Sequence, residues 1–251
     1  MSSFKVLTRV YARALVRDRT ALIFTFILPI AFLAVFGLVF GSQKVSGTED
    51  KTIDYLGPGI LCYGVANSAT IGVALNLATW RRNGLLRAVR MTPTPLGAVL
   101  GARLVVSLGV ATVQTLLFGA VAMLPVFGLD TDPLRLLAGL VAVLAGTTVF
   151  FMLGLLIGTV VGTSEAVTAV CNFVLLPMAF MSGSFIPLRN APHWLQDFSR
   201  TLPLRYMNTG VSQAVTGGAT LRAMGECVVL AGFAAVLAAI VTRTFRWGAG
   251  S

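Results

Sequence analysis

The chain has 251 residues, of which 56% are hydrophobic and only 11% charged, against roughly 25% charged residues in a soluble domain. Its formal net charge is +10. That balance excludes an ordinary soluble globule, and the gathering of apolar residues into long runs points to an integral membrane protein.

A bilayer core about 30 Å thick takes roughly 20 helical residues to cross. Runs of that length stand near 21–41, 56–78, 104–126, 134–161, 166–187 and 225–242. The expected fold is therefore all-α and polytopic, a single membrane domain over 1–251 with six transmembrane helices. It divides into an interfacial helix at 1–20, two spans within 21–78, a polar interruption at 79–95, three spans within 96–187, an external segment at 188–223, and a last span with a tail at 224–251.

In chain order, "FKVLTRVYARALVRDRT" comes first, with Lys5, Arg9, Arg13 and Arg17 every four residues. On a helix they form one basic stripe, with Phe4, Leu7, Tyr11, Ala14 and Leu15 around the rest of the surface. Such a helix is expected to lie in the interface plane, apolar side in lipid and basic side toward anionic headgroups or a partner. The first span carries Pro29 in its middle, where a missing backbone donor should kink it. It is too long for a signal-peptide core, lacks a small-residue cleavage site, and is expected to remain as an anchor. "GSQKVSGTEDKTIDY" reads as a polar external linker. The second span opens at "LGPGILCYG", where Pro58 near a helix start costs little.

Next stands "TWRRNGLLRAVRMTPTP", residues 79–95, basic and free of acidic residues. Leu85, Leu86 and Val89 make the apolar side of a helix of one or two turns, arginines decorate the other side, and Pro93 and Pro95 stop it. A short rigid element between two membrane helices can pass a push to both. The third span begins around Leu96, with Arg103 near its boundary and Gln114 inside it, the latter expected to hydrogen-bond a neighbouring helix. In the fourth span, Gly154, Gly158 and Gly162 form overlapping G-x-x-x-G patterns that admit a close neighbour. The fifth span leads into an external segment too apolar for a plain loop. There Trp194, Leu195, Phe198 and Leu202 share a helical face between Pro192 and Pro203, as expected for short helices dipping into the outer leaflet.

Twelve of the nineteen basic residues fall on the side that holds both termini and residues 79–95. By the positive-inside rule that side is cytoplasmic, and the charge marks topology rather than a nucleic-acid partner. No G-x-x-x-x-G-K-[ST] phosphate loop occurs, His193 is the one histidine, and no acidic residue lies mid-span. Cys62, Cys171 and Cys227 are spaced for neither a metal motif nor a disulfide framework, and read as small core residues. No catalytic, cofactor-binding or metal-binding set emerges. An intramembrane lipid-modifying enzyme would need a His or carboxylate constellation that is missing, and a passive scaffold would not explain residues 79–95.

Taken in order, "LPIAFLAVFG", "YLGPGIL", "NGLLRAVRMTPTP" and "FMSGSFIPLRNAPHWLQDFSRTLPLRY" resemble the permease subunit of type-2 ATP-binding-cassette (ABC-2) exporters, above all the daunorubicin/doxorubicin-resistance-like drug-export branch. The resemblance covers nearly the whole length. It implies that Arg81 to Thr92 form a cytoplasmic coupling helix docking into a separate ATPase subunit, with Arg81, Arg82, Gly84, Leu85, Leu86, Arg87, Val89, Arg90, Thr92 and Pro93 at that contact. An acidic residue common in the family before the glycine is replaced here by Arg82 and Asn83. The Phe4 to Asp18 helix would flank the contact. Ser182, Gly183, Pro187, Trp194, Pro203 and Tyr206 would belong to external re-entrant helices, and Phe32, Phe36, Asn172 and Met178 would line the pathway. The resemblance further implies two permeases, identical or paralogous, with two ATPases that carry ATP and Mg. The expected setting is the cell membrane. The expected cargo is a small hydrophobic or amphipathic molecule such as a drug or antibiotic, with lipid or polysaccharide as alternatives.

Overall fold

The computed structural model describes residues 3–40, 52–84, 95–124, 133–186, 188, 191–216 and 220–244. Its regular elements there are all helical: α1 (Ser3–Arg17), α2 (Arg19–Leu22), a π-helical turn (Ile23–Ile27), α3 (Leu28–Phe40), α4 (Thr52–Arg82), α5 (Leu96–Ala122), α6 (Pro133–Val160), α7 (Ser164–Met181), α8 (His193–Ser199), α9 (Pro203–Thr216) and α10 (Thr220–Thr244). Six stretches are long and apolar enough to cross a membrane: Arg19–Val39, Tyr55–Arg82, Gly97–Ala122, Leu137–Val160, Ser164–Met181 and Met224–Thr244. The number of spans agrees with the expectation, while several borders differ. The second span continues past Ala78 to Arg82, and the fifth closes at Met181, short of residue 187.

Asp18 separates α1 from the first span. Its carboxylate accepts from the Ala21 N–H at 2.9 Å, so the chain turns into the membrane on a capped helix start. Pro29 acts on this span differently from a plain kink. With no N–H, it leaves the carbonyl of Thr25 without its helical donor. The turn just before it is π-helical over Ile23–Ile27, with the Leu28 N–H reaching back to the Ile23 carbonyl. The widened turn absorbs the defect that proline introduces.

The centre of the bundle is the pair α4 and α6. Buried positions along α4 recur in pairs every four residues, from Leu61 and Cys62 to Leu77 and Ala78, which makes one continuous face. Gly154 and Gly158 of α6 sit on that face. A Cβ added at Gly154 would lie 2.6 Å from Val73 Cγ1 and 2.9 Å from Thr70 Cα, and one at Gly158 would lie 2.9 Å from the Ala74 carbonyl oxygen. Lipid tails are as apolar as leucine, so helices associate here through packing and hydrogen bonds, and the missing side chains let the two backbones meet. Thr70 Oγ1 then donates to the Phe150 carbonyl at 3.1 Å across the interface. Gly162 plays no part in this contact, because a Cβ there would meet nothing within 4 Å.

Around the pair, α5, α9 and α10 pack on α6, and α3 and α7 pack on α4. Cys62 and Cys171 are buried and Cys227 is half-buried, consistent with packing roles. Helix α9 enters the bundle: Met207 fills the space above Gly146, and a Cβ at Gly210 would lie 2.9 Å from Ala142 Cβ. Gly146 is nine residues inside the apolar stretch that starts at Leu137, or roughly 14 Å at the helical rise. The helix that enters the bundle is thus α9, whereas Trp194 and Phe198 on α8, where the sequence placed the dipping face, stay exposed. Gln114 departs from expectation. It is buried on α5 near Gly64, and among the described residues neither its Oε1 nor its Nε2 has a partner.

Candidate transport and coupling sites

Three regions hold the residues singled out by the sequence: the basic end of the bundle, the cap at its opposite end, and the exposed sides of α3 and α7.

At the basic end, α4 finishes in Arg81 and Arg82, so these two close a membrane helix and do not begin a separate coupling helix. Arg81 Nη1 donates to the carbonyls of Thr159 and, at 3.4 Å, of Gly158. These carbonyls belong to the last turn of α6, where helical acceptors lack donors and a positive charge is favoured. Arg82 Nη2 reaches Ser164 Oγ at 2.8 Å, at the first turn of α7, which Thr163 caps by accepting from the Ala166 N–H at 3.2 Å. The two arginines therefore fasten the end of α4 to the α6–α7 turn, an intramolecular role that charge counting alone did not disclose. Gly84 follows with φ +66°, and its N–H bonds to the Arg81 carbonyl at 3.4 Å. A left-handed residue after the last turn ends the helix, and glycine adopts it without strain. Leu85, Leu86, Arg87, Val89, Arg90, Thr92 and Pro93 lie outside the described residues.

Helix α1 leans on this end of the bundle. Leu7 and Tyr11 pack on a buried cluster containing Trp80, Val99, Phe151, Leu155 and Val241. Tyr11 stacks on Trp80 with centroids 5.7 Å apart. The Leu7 and Tyr11 side of α1 is thus held by protein, while Val6, Val10 and Val16 stay exposed. The reason is that α4 and α5 present aromatic and glycine surfaces of the right spacing, with Phe4 resting at Gly101. Lys5, Arg9, Arg13 and Arg17 remain exposed on the other side. Burial holds the Tyr11 phenol above its ordinary value, and Arg103 nearby partly offsets that. Arg103 itself turns inward from α5, its Nη2 on the Gly72 carbonyl at 3.3 Å.

A cap at the far end of the bundle, away from Arg81 and Arg82, is built on the turn after α7. Gly183 has φ +83°, and its carbonyl accepts from the Tyr55 hydroxyl and from Asn208 Nδ2 at 3.3 Å. Tyr55 also reaches the Ile186 carbonyl at 3.0 Å. Ser182 Oγ and Ser184 Oγ are 2.9 Å apart and buried, and Gly59 of α4 lies against Ser184 with no room for a side chain. Ser182 and Gly183 were legible in the sequence. Tyr55, Asn208 and Gly59, which hold them, were not, because their partners are over twenty residues away. Pro203 is buried as the first residue of α9, and Tyr206 donates to the Arg200 carbonyl at 2.6 Å and meets the Phe233 ring at 5.9 Å. Trp194 stays largely exposed on α8, and Pro187 lies outside the described residues.

Phe32 and Phe36 on α3 are neighbours with centroids 6.4 Å apart, the first exposed and the second half-buried. On α7, Asn172 is exposed at the middle of an 18-residue span, beside Phe173, which is 80% exposed. Met178 is half-buried and packs on the core. The four residues fall into two groups, Phe32 and Phe36 on α3 and Asn172 and Met178 on α7, with Phe32 and Asn172 exposed and Phe36 and Met178 packed on the core.

The profile of the ABC-2 type transporter family matches residues 2–215. The chain belongs to that family. As an ABC-2 type transporter it is a multi-pass membrane protein. It is 29% identical over 229 residues to the daunorubicin resistance ABC transporter permease protein DrrB1 of Streptomyces coeruleorubidus, covering 88% of this chain and 77% of that one. It is also 28% identical over 237 residues to the probable doxorubicin resistance ABC transporter permease protein DrrC of Mycobacterium tuberculosis, with 92% and 83% covered.

Proposed function

We propose that this chain is the membrane subunit of an ATP-driven exporter that moves a hydrophobic or amphipathic molecule, such as a drug or antibiotic, out of the cell. A separate ATPase subunit binds ATP and Mg and supplies the work through residues 79–95. Family membership and relatives named for daunorubicin and doxorubicin resistance support this reading. The observation that carries the pathway is Asn172. An amide exposed at mid-span would be costly against lipid tails, so the α7 face is covered by protein or lines a wet path. A second permease copy or paralogue facing α3 and α7 supplies that cover, with two ATPases completing the assembly and both termini in the cytoplasm.

Closure of the ATPases displaces residues 79–95. Because Arg81 and Arg82 tie the root of that segment to the α6–α7 turn, the displacement reaches α7, one wall of the proposed path. Differential affinity of ATP for the two arrangements is what biases them. The test is resistance of expressing cells across structurally different toxic compounds, with an ATPase-dead partner as control. Resistance to at least one compound that vanishes with the dead partner is expected. No shift for any compound would remove drug export and turn attention to lipid export.

A further inference from the structure

We propose that the chain carries a binding site for one acyl chain of an anionic phospholipid, in a crevice on its basic end between α5, α6 and α10. This inference is independent of the cargo. The crevice has a volume of about 260 Å³ and is half-open. Its walls are Gly97, Gly101 and Leu104 of α5, Met152 of α6, and Ala238 and Thr242 of α10. The space exists because Gly97 and Gly101, one turn apart, offer no side chains: among the described residues a Cβ at Gly97 meets nothing within 4 Å, and one at Gly101 meets Phe4 at 3.5 Å.

Three arguments select the occupant. The lining is almost wholly apolar, and apolar cavities do not hold water. The volume falls below the roughly 300–1,000 Å³ of pockets that enclose drug-sized molecules, so it suits a hydrocarbon chain better than a cargo. Basic charge stands at the end where a headgroup would lie: Lys5 follows Phe4, which rests at Gly101, and Arg243 follows Thr242, which lines the crevice. Both cations are exposed. A lipid whose tail lies between α5 and α10 presents its phosphate to them, as basic side chains at membrane surfaces favour.

The inner wall supplies its own reporter. Phe151, Leu155 and Val241 line the crevice and belong to the same apolar cluster as Trp80. The full chain, with Trp194→Phe and Trp247→Phe leaving Trp80 as the sole indole, is placed in nanodiscs holding a minor fraction of tail-brominated phosphatidylglycerol or tail-brominated phosphatidylcholine. Trp80 fluorescence is expected to be quenched more by the anionic lipid at equal mole fraction. Lys5→Gln and Arg243→Gln should each weaken that preference by about fivefold, the factor for roughly 1 kcal/mol per basic residue at an anionic surface. Gly97→Leu, whose Cβ meets no described neighbour within 4 Å and whose branch enters the crevice, should reduce quenching by both lipids. If Gly97→Leu does not yield folded protein, Ala238→Leu fills it from the opposite wall. Equal quenching by the two lipids overturns the proposal, as does quenching that the filling variants leave unchanged. Loss of quenching when an ATPase subunit is added would assign the crevice to a protein contact and overturn it too.

Discussion

Replacing Gly154 with alanine adds one methyl group where α6 meets the backbone of α4. That carbon would stand 2.6 Å from Val73 Cγ1 and 2.9 Å from Thr70 Cα, against the ~3.5–4.0 Å of an unstrained carbon contact. Val73 can turn away, but Thr70 Cα is backbone, so α4 and α6 must separate by about 1 Å. Overpacking of this kind costs ~1–3 kcal/mol. The same separation stretches the 3.1 Å bond from Thr70 Oγ1 to the Phe150 carbonyl beyond useful range, a loss of ~0.6 kcal/mol inside a membrane. The expected destabilisation is therefore ~2–4 kcal/mol, measured as a shift in the unfolding equilibrium in mixed micelles. Gly162→Ala is the control, since its added carbon meets nothing within 4 Å; it should stay within ~0.5 kcal/mol of the parent. Equal stability of the two variants would refute the claim that glycine spacing on α6 sets the distance to α4.

Arg81→Ala frees the last turn of α6 from its cation; we expect transport to fall while ATPase co-purification persists, and loss of co-purification would show that Arg81 serves docking instead. Tyr55→Phe removes the hydroxyl that reaches the Gly183 and Ile186 carbonyls, so the 182–186 turn should open more easily by ~1 kcal/mol. Hydrogen exchange at the Ser184 amide reads that change, and an unchanged rate contradicts the cap geometry. Asn172→Leu should alter transport with little effect on stability; if it raises stability and leaves transport intact, the α7 face meets lipid.

Much of the fold was legible because bilayer thickness sets helix length, and apolar runs near twenty residues report that directly. The glycines of α6 were legible as a packing stripe, but the register of the partner helix decides which of them are used, and Gly162 falls beyond the crossing. That Arg81 and Arg82 close α4 was not legible for a different reason. Charge at a membrane border looks alike whether it ends a helix or begins a loop, and their acceptors lie 77, 78 and 82 residues away. The apolar side of α1 reads equally well as lipid-facing or protein-facing, since both surroundings reward the same residues. Gln114 carried the opposite risk: an amide within a span suggests an interhelical bond, yet it sits near Gly64 and finds none among the described residues.

The central claim is that residues 79–95 receive work from a separate ATPase on the cytoplasmic side. Single cysteines at Leu85 or Arg90, in a chain whose Cys62, Cys171 and Cys227 are replaced, are exposed to a membrane-impermeant thiol reagent. No labelling in intact cells, labelling after permeabilisation, and protection by the co-expressed ATPase are the expected results. Labelling in intact cells would contradict the account.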